Sequence, residues 1–229
     1  MSGNIASGAR EVGLLVAREL GVDFVDQQLM VHAAQRCGVT VGSMAERDER
    51  RASFKERMSG LFRTFMERSA ASGADPLSGA TGLEVVLSQS YAEMAGEEEP
   101  EVSDKVYLDT MTAIITELAA SSSVVLLGRG SQMILKDSPI ALHALCIAPQ
   151  KLRAYRLAER DGMGLDEATK RTHDSDRGRS AYYRKFWKVD VEDPKLYDLT
   201  IDTSRLSFEA AAEVVAAAAR AKTAAPAGV

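Results

Sequence analysis

Cysteine is scarce: the 229-residue chain has two, Cys37 and Cys146, far apart and each in an apolar stretch. A disulfide framework or a thiolate metal site needs more cysteines at closer spacing, so buried, reduced thiols are expected. Long apolar runs are missing, and the N-terminus lacks the basic-then-apolar pattern of a leader peptide. Neither a membrane span nor secretion is therefore expected, and the reading is a cytoplasmic protein with no membrane partner. The three histidines, His32, His143 and His173, have no metal-ligand spacing and read as structural or solvent-exposed. No Ser-His-Asp or Cys-His order stands out. Positive charge is not in excess: 28 Lys and Arg against 33 Asp and Glu leave a net charge of −5, which argues against a general nucleic-acid binder.

What is present suits one α/β domain with a lid or insert. Residues 9–20 have apolar positions at helical spacing (Val12, Leu15, Val16, Leu20), and Gly21 suits the C-terminal cap. VDFVD reads as a short strand, after which Asp26 would cap a helix running to Cys37. Residues 44–70 form a charged amphipathic stretch, residues 83–94 a candidate helix, and AGEEEPE a solvated linker. A helix is expected from about Asp104 to Ala120. Three strand-like runs follow, SVVLLG (123–128), ALHALCIA (141–148) and YDLTID (197–202), separated by helices over 150–160 and from Asp166 into a basic cluster. A last helix starts near Ser207 and fades into an alanine-rich tail. Strands alternating with helices imply a mostly parallel sheet.

Three constellations carry chemistry. The chain opens with Gly3-Asn4-Ile5-Ala6-Ser7-Gly8 ahead of a helix, the glycine spacing of a phosphate-binding loop. The positions that usually follow as Lys and Ser or Thr are Ala9 and Arg10, and Met1 stands only two residues before Gly3. A plain glycine-containing helix start gives the same string. The second constellation is Gly128-Arg129-Gly130-Ser131 at the end of an apolar strand, where ligands sit in open parallel sheets. An arginine paired in a surface loop is the plainer reading. The third is Asp174-Ser175-Asp176-Arg177-Gly178-Arg179. Between Lys170 and Lys188 there are seven basic residues against two acids, so arginines two apart lie on different helix faces and some can reach a polyphosphate. The alternative is a solvated, salt-bridged helix.

In this order, with Tyr197-Asp198-Leu199-Thr200-Ile201-Asp202-Thr203 last, the motifs resemble the cytidylate kinase-like family, a branch of the P-loop nucleoside monophosphate kinases. The similar stretches are LVARELGVDFVDQQL, VVLLGRGSQMIL, SDRGRSAYYRKF and LYDLTIDTSRLSFEAA, which together span most of the chain. The resemblance implies a three-layer α/β/α P-loop NTPase-like parallel sheet over a single domain, 1–229. A helical substrate-side insert would occupy 44–100, a lid-like segment 161–190 and a flexible tail 222–229, with the first strand missing or truncated. It implies ATP and Mg²⁺ as cofactors and phosphorylation of CMP or dCMP to the diphosphate. Gly3, Ser7, Gly8, Ala9, Arg10 and Glu11 would hold the donor. Arg129 would hold the acceptor phosphate, Asp176 and Arg179 the cytidylate and the moving phosphoryl group, and Arg171 and Arg177 would be further phosphate clamps. Gly130 stands where typical members carry an acid that reads cytosine. The degenerate loop leaves a second reading open, a nucleotide-binding or regulatory protein without transfer. A third is phosphorylation of another small molecule on the same scaffold. The 44–70 stretch is expected either to cover the substrate or to form a contact between copies in a homo-oligomer.

Overall fold

The structure, a computed structural model, describes residues 1–28, 30, 60 and 104–224. The expectations for the helix towards Cys37, for 44–70, for 83–94, for most of the 44–100 insert and for 225–229 fall outside those residues. The chain divides into two compact units, Met1–Phe24 with Ser90–Glu98 and Val124–Val229, and Val25–Gln89 with Glu99–Ser123. In chain order the described elements are β1 (Ser2–Gly3), α1 (Ala9–Leu20), β2 (Asp23–Val25), α2 (Asp104–Ser121), β3 (Val124–Leu126), α3 (Ser131–Ile134), β4 (Ala144–Ile147), α4 (Gln150–Asp161), α5 (Leu165–Trp187), β5 (Leu199–Asp202) and α6 (Phe208–Ala224). A 3₁₀ turn, Pro194–Leu196, precedes β5. Among the described residues no helix is long and apolar enough to cross a membrane.

In the first unit β4 lies parallel between β1 and β5, with Ser2 opposite Leu145, Gly3 opposite Cys146, and Cys146 opposite Ile201. β2 and β3 form a second pair. Met1 joins the two sets: its amino group donates to Leu126 O at 2.8 Å, and Gly128 N donates to Met1 O at 3.0 Å. That alternation is a parallel ladder step, so the strands run β2-β3-β1-β4-β5. The strand expected to be missing or truncated is thus present as two residues, and it occupies the middle of the sheet directly before the glycine loop.

The hydrophobic pattern explains one covered face. Val12, Val16 and Ala17 of α1 are buried with Ala211, Ala212 and Val215 of α6 against Val125, Ala144, Cys146 and Ile201. These are the inward positions of two helices of 3.6-residue period meeting strands of period two. Gly21 closes α1, as its place in the sequence suggested, donating to Ala17 O and Arg18 O. Burial pushes the Cys146 thiol up to about 11, so it stays a neutral core residue. The α4–α5 pair has its own cluster, Ala154, Leu157 and Ala168, with Ile5 and Ala6 of the glycine loop packed against it. The helices after β4 therefore rest directly on the loop.

Candidate functional site

The loop between β1 and α1 turns tightly. Ser7 N donates to Asn4 O at 3.0 Å, and both Ala6 (φ 58) and Gly8 (φ 84) are left-handed. Gly8 is required for space as well as for φ, because a Cβ there would lie 2.5 Å from a Phe208 ring carbon. At Gly3 a Cβ would lie 2.3 Å from Ser7 Oγ and 2.8 Å from Cys146 O. Alternating handedness next to a helix N-terminus forms an anion-binding concavity. Ser7 Oγ is fully buried and has no hydrogen-bond partner among the described residues. The first turn of α1 carries Ala9, buried, then Arg10, exposed, and Glu11, half-buried.

Beside the loop lies a cavity of about 360 Å³ lined by Ala6, Gly8, Glu11, Arg156, Glu159, Arg160 and Phe208. The Arg156 guanidinium sits 5.0 Å over the Phe208 ring and donates to Thr203 Oγ1 (2.9 Å) and Thr203 O (2.8 Å). Arg160 is paired with Asp161 at 2.7 Å, and Asp161 also accepts from Arg171 at 3.3 Å. A ring face, cations and a glycine loop around one cavity are the elements of a nucleotide pocket.

The basic helix α5 divides its residues by face, as their spacing requires. Arg179 is buried and donates to Asn4 Oδ1 (2.7 Å) and Ser2 Oγ (2.8 Å), with its guanidinium 5.6 Å from the Tyr183 ring centre. Asp176 accepts both Nη groups of Arg153, at 3.0 and 2.7 Å. Arg177 points the other way, four-fifths exposed, and pairs with Asp174. Arg171 is also exposed, at the base of the helix. The structure thus brings Asp176 and Arg179 to the glycine loop and leaves Arg171 and Arg177 on the outer surface.

Gly128, Arg129 and Gly130 are all left-handed (φ 76, 55 and 73), and Arg129 is 3% exposed. A buried arginine held in this conformation costs about 1–3 kcal/mol, strain that concentrates at functional turns. Gly130 has Trp187 against it: a Cβ there would lie 2.3 Å from the indole. Trp187 belongs to an aromatic cluster with Tyr182, Tyr183 and Phe186. Beneath the turn, Tyr183 donates to Gln132 Oε1, and Gln132 Nε2 donates to Tyr197 O–H.

Sequence reasoning missed Arg153, Arg156, Thr203 and Phe208. The signal is in the 150–160 helix, where Arg153, Arg156 and Arg160 repeat at helical spacing directly after a strand.

Residues 1–205 match the model of the cytidylate kinase-like family. Among similar proteins, the cytidylate kinase of Pyrococcus abyssi is 29% identical over 137 residues, 60% of this chain and 70% of that protein. The cytidylate kinase of Methanocaldococcus jannaschii is 27% identical over 139 residues, 60% and 73% of the two chains. Among solved structures, an uncharacterized protein from Eubacterium ventriosum superposes with a TM-score of 0.59 at 14% identity over 96% of both chains, which shows a shared fold.

Proposed function

This chain belongs to the cytidylate kinase-like family, and from that premise we propose that it transfers the terminal phosphoryl group of ATP to a nucleoside monophosphate, CMP or dCMP. The carrying observation is the juxtaposition of Arg179 with the glycine loop, next to a cavity already walled by Phe208, Arg156 and Arg160. The base and sugar of the donor would enter that cavity. Its phosphates would meet the start of α1, where Gly3, Ser7, Gly8, Ala9, Arg10 and Glu11 form the cradle. Ser7 Oγ is a donor with no partner to give up among the described residues.

Phosphoryl transfer asks the protein for alignment and charge neutralisation. Arg179, anchored on the loop, stabilises charge on the group in flight. Arg129, held at the β3 tip, takes the acceptor phosphate. Asp176 takes the acceptor's hydroxyl or amino groups. Closure of 161–190 over the bound nucleotides would exclude water, so that ATP is not hydrolysed, while Arg171 and Arg177 stay on the outer face of α5 rather than acting as further clamps. This reading takes 1–229 as a single domain with 44–100 as its substrate-side insert.

Magnesium fits only as a companion of the phosphates. Among the described residues no group of three His, Cys, Asp or Glu could hold a metal, and Arg10 stands where a hydroxyl ligand would be expected. Glu11 and Glu159 supply the cavity's carboxylates. A phosphate-borne Mg²⁺ keeps most of its waters and neutralises oxygen charge.

The test is a coupled ADP-release screen over nucleoside monophosphates. ADP should form only when a monophosphate is added, fastest with CMP or dCMP. ADP release indifferent to the acceptor, or no release with any of them, rejects the reading. A second reading, nucleotide binding without transfer, is favoured by Ala9 and Arg10 in place of Lys and a hydroxyl. Calorimetric ATP binding alongside null turnover would establish it.

A further inference from the structure

Four carbonyl oxygens of the glycine loop, those of Asn4, Ile5, Ser7 and Gly8, accept hydrogen bonds. Asn4 O accepts from Ser7 N (3.0 Å) and Gly8 O from Val12 N (2.9 Å), both local bonds. The other two ties come from Arg153 of α4 and from Thr203, just after β5. Arg153 Nη1 donates to Ile5 O at 3.4 Å. Ser7 O accepts from Thr203 Oγ1 at 2.8 Å, and that hydroxyl in turn accepts from Arg156 Nη1 at 2.9 Å. Arg153 and Arg156 stand three residues apart on one face of α4, so one helix holds two loop carbonyls, one directly and one by relay.

A loop that holds an anion must keep its carbonyl oxygens, which repel the anion, engaged elsewhere. Where the usual lysine is Ala9, that arrangement carries more of the work. Arg153 is suited to it: its side chain is 5% exposed, Nε is fixed on Ala148 O at 3.1 Å, and both Nη groups are fixed on Asp176. It joins the exit of β4, the glycine loop and α5 at a single guanidinium. A lysine there has no planar fork to do the same.

Resting on the donor-site reading above, we propose that Arg153, with Thr203 as the second tie, is a positioning residue that sets the glycine loop's anion-binding shape. It acts through Ile5, with Asp176 as its charge partner only, and touches no substrate.

The test uses the full chain and inorganic tripolyphosphate as probe, by calorimetry. Asp176→Asn alone leaves Arg153 on Ile5, and its dissociation constant should stay within about threefold of the original. Adding Arg153→Met to that variant removes the pair together, so no carboxylate is left buried and unpaired; the constant should then rise at least tenfold. Thr203→Val should raise it in the same direction, and Arg153→Lys should fall between. A merely structural role would lower the melting temperature of both Asp176 variants without separating their affinities. Should the double variant not fold, Arg153→Lys and Thr203→Val carry the same comparison. Unchanged affinity in the Arg153 and Thr203 variants, or no tripolyphosphate binding by the original chain, overturns the proposal. Arg153-dependent binding without phosphoryl transfer would leave it standing while the kinase reading fell. Phosphoryl transfer with ATP affinity indifferent to Arg153 would do the reverse.

Discussion

At the residue scale, backbone strain and contact geometry mark the β3 tip more sharply than charge does. Three left-handed residues in a row place Arg129, and Gly130 lets Trp187 close over the turn. Gly130→Ala introduces a methyl group 2.3 Å from the indole at φ 73, and both effects oppose folding. It should destabilise the chain by about 2–4 kcal/mol, read from denaturant unfolding. Trp187 is the only tryptophan, so its fluorescence should shift in the same variant and report directly on the turn. A variant as stable as the original with unchanged emission would show that the indole does not seat there.

At the element scale, α5 tests whether helix phase decides role. Arg177 and Arg179 are two residues apart, roughly opposite on a 3.6-residue turn. Arg177→Ala loses only an exposed pair with Asp174 and should change stability by less than about 0.5 kcal/mol. Arg179→Ala loses two charge-assisted hydrogen bonds, to Asn4 of the loop and Ser2 of β1, and should cost about 2–4 kcal/mol as well as the proposed transfer activity. Paired thermal melts and ADP-release rates check both. Equal melts for the two variants would mean that Arg179 is not bonded as described.

The faces of α5 were legible in the sequence because helical geometry follows from spacing alone. α1, β2, α2 and the three later strands also fell where periodicity and breakers put them, with ends shortened by a residue or more at the strands. What spacing did not disclose was pairing across the chain. Asp176 lies 23 residues from Arg153, and Arg179 lies 175 from Asn4. Only the fold brings such residues together, so Asp176 and Arg179 stood out in the sequence as candidates and their partners did not. The short β1 was missed for a related reason: two residues carry no periodicity, and Ser2–Gly3 is a strand because β4 and Gly128 supply its hydrogen bonds.

At the scale of the whole molecule, the far ends of the strands hold a charged clasp that should set acid stability. Asp198 accepts from His143 N (2.7 Å) and from Lys222 (2.8 Å), tying β4, β5 and α6 together. Lys222 lies within the segment expected to be a flexible tail, but α6 continues to Ala224. Burial lowers the pKa of His143. For Asp198 burial acts upward, but the His143 amide and the Lys222 ammonium outweigh it and leave the carboxyl below its usual range. Both depressed values have the same sign in stability. His143 becomes protonated first in the unfolded chain, so stability falls as pH drops below about 6.5. The Asp198 contribution is complete above about 3.9 and is lost as pH falls further. Melting temperature should therefore decline in two stages between pH 7 and pH 3, and Asp198→Asn should flatten the lower stage. A melting temperature level across that range would contradict the clasp.

The candidate site joins β1, β3, α1, α4 and α5 around one loop, and the proposed phosphoryl transfer requires all of them in register. The direct measurement is a single-turnover experiment with ATP labelled at the γ-phosphate, CMP and Mg²⁺, followed by separation of the nucleotides. The label should move into cytidine diphosphate, with little in inorganic phosphate. Label that remains in ATP, or that appears only as inorganic phosphate whichever monophosphate is supplied, would contradict transfer at this site.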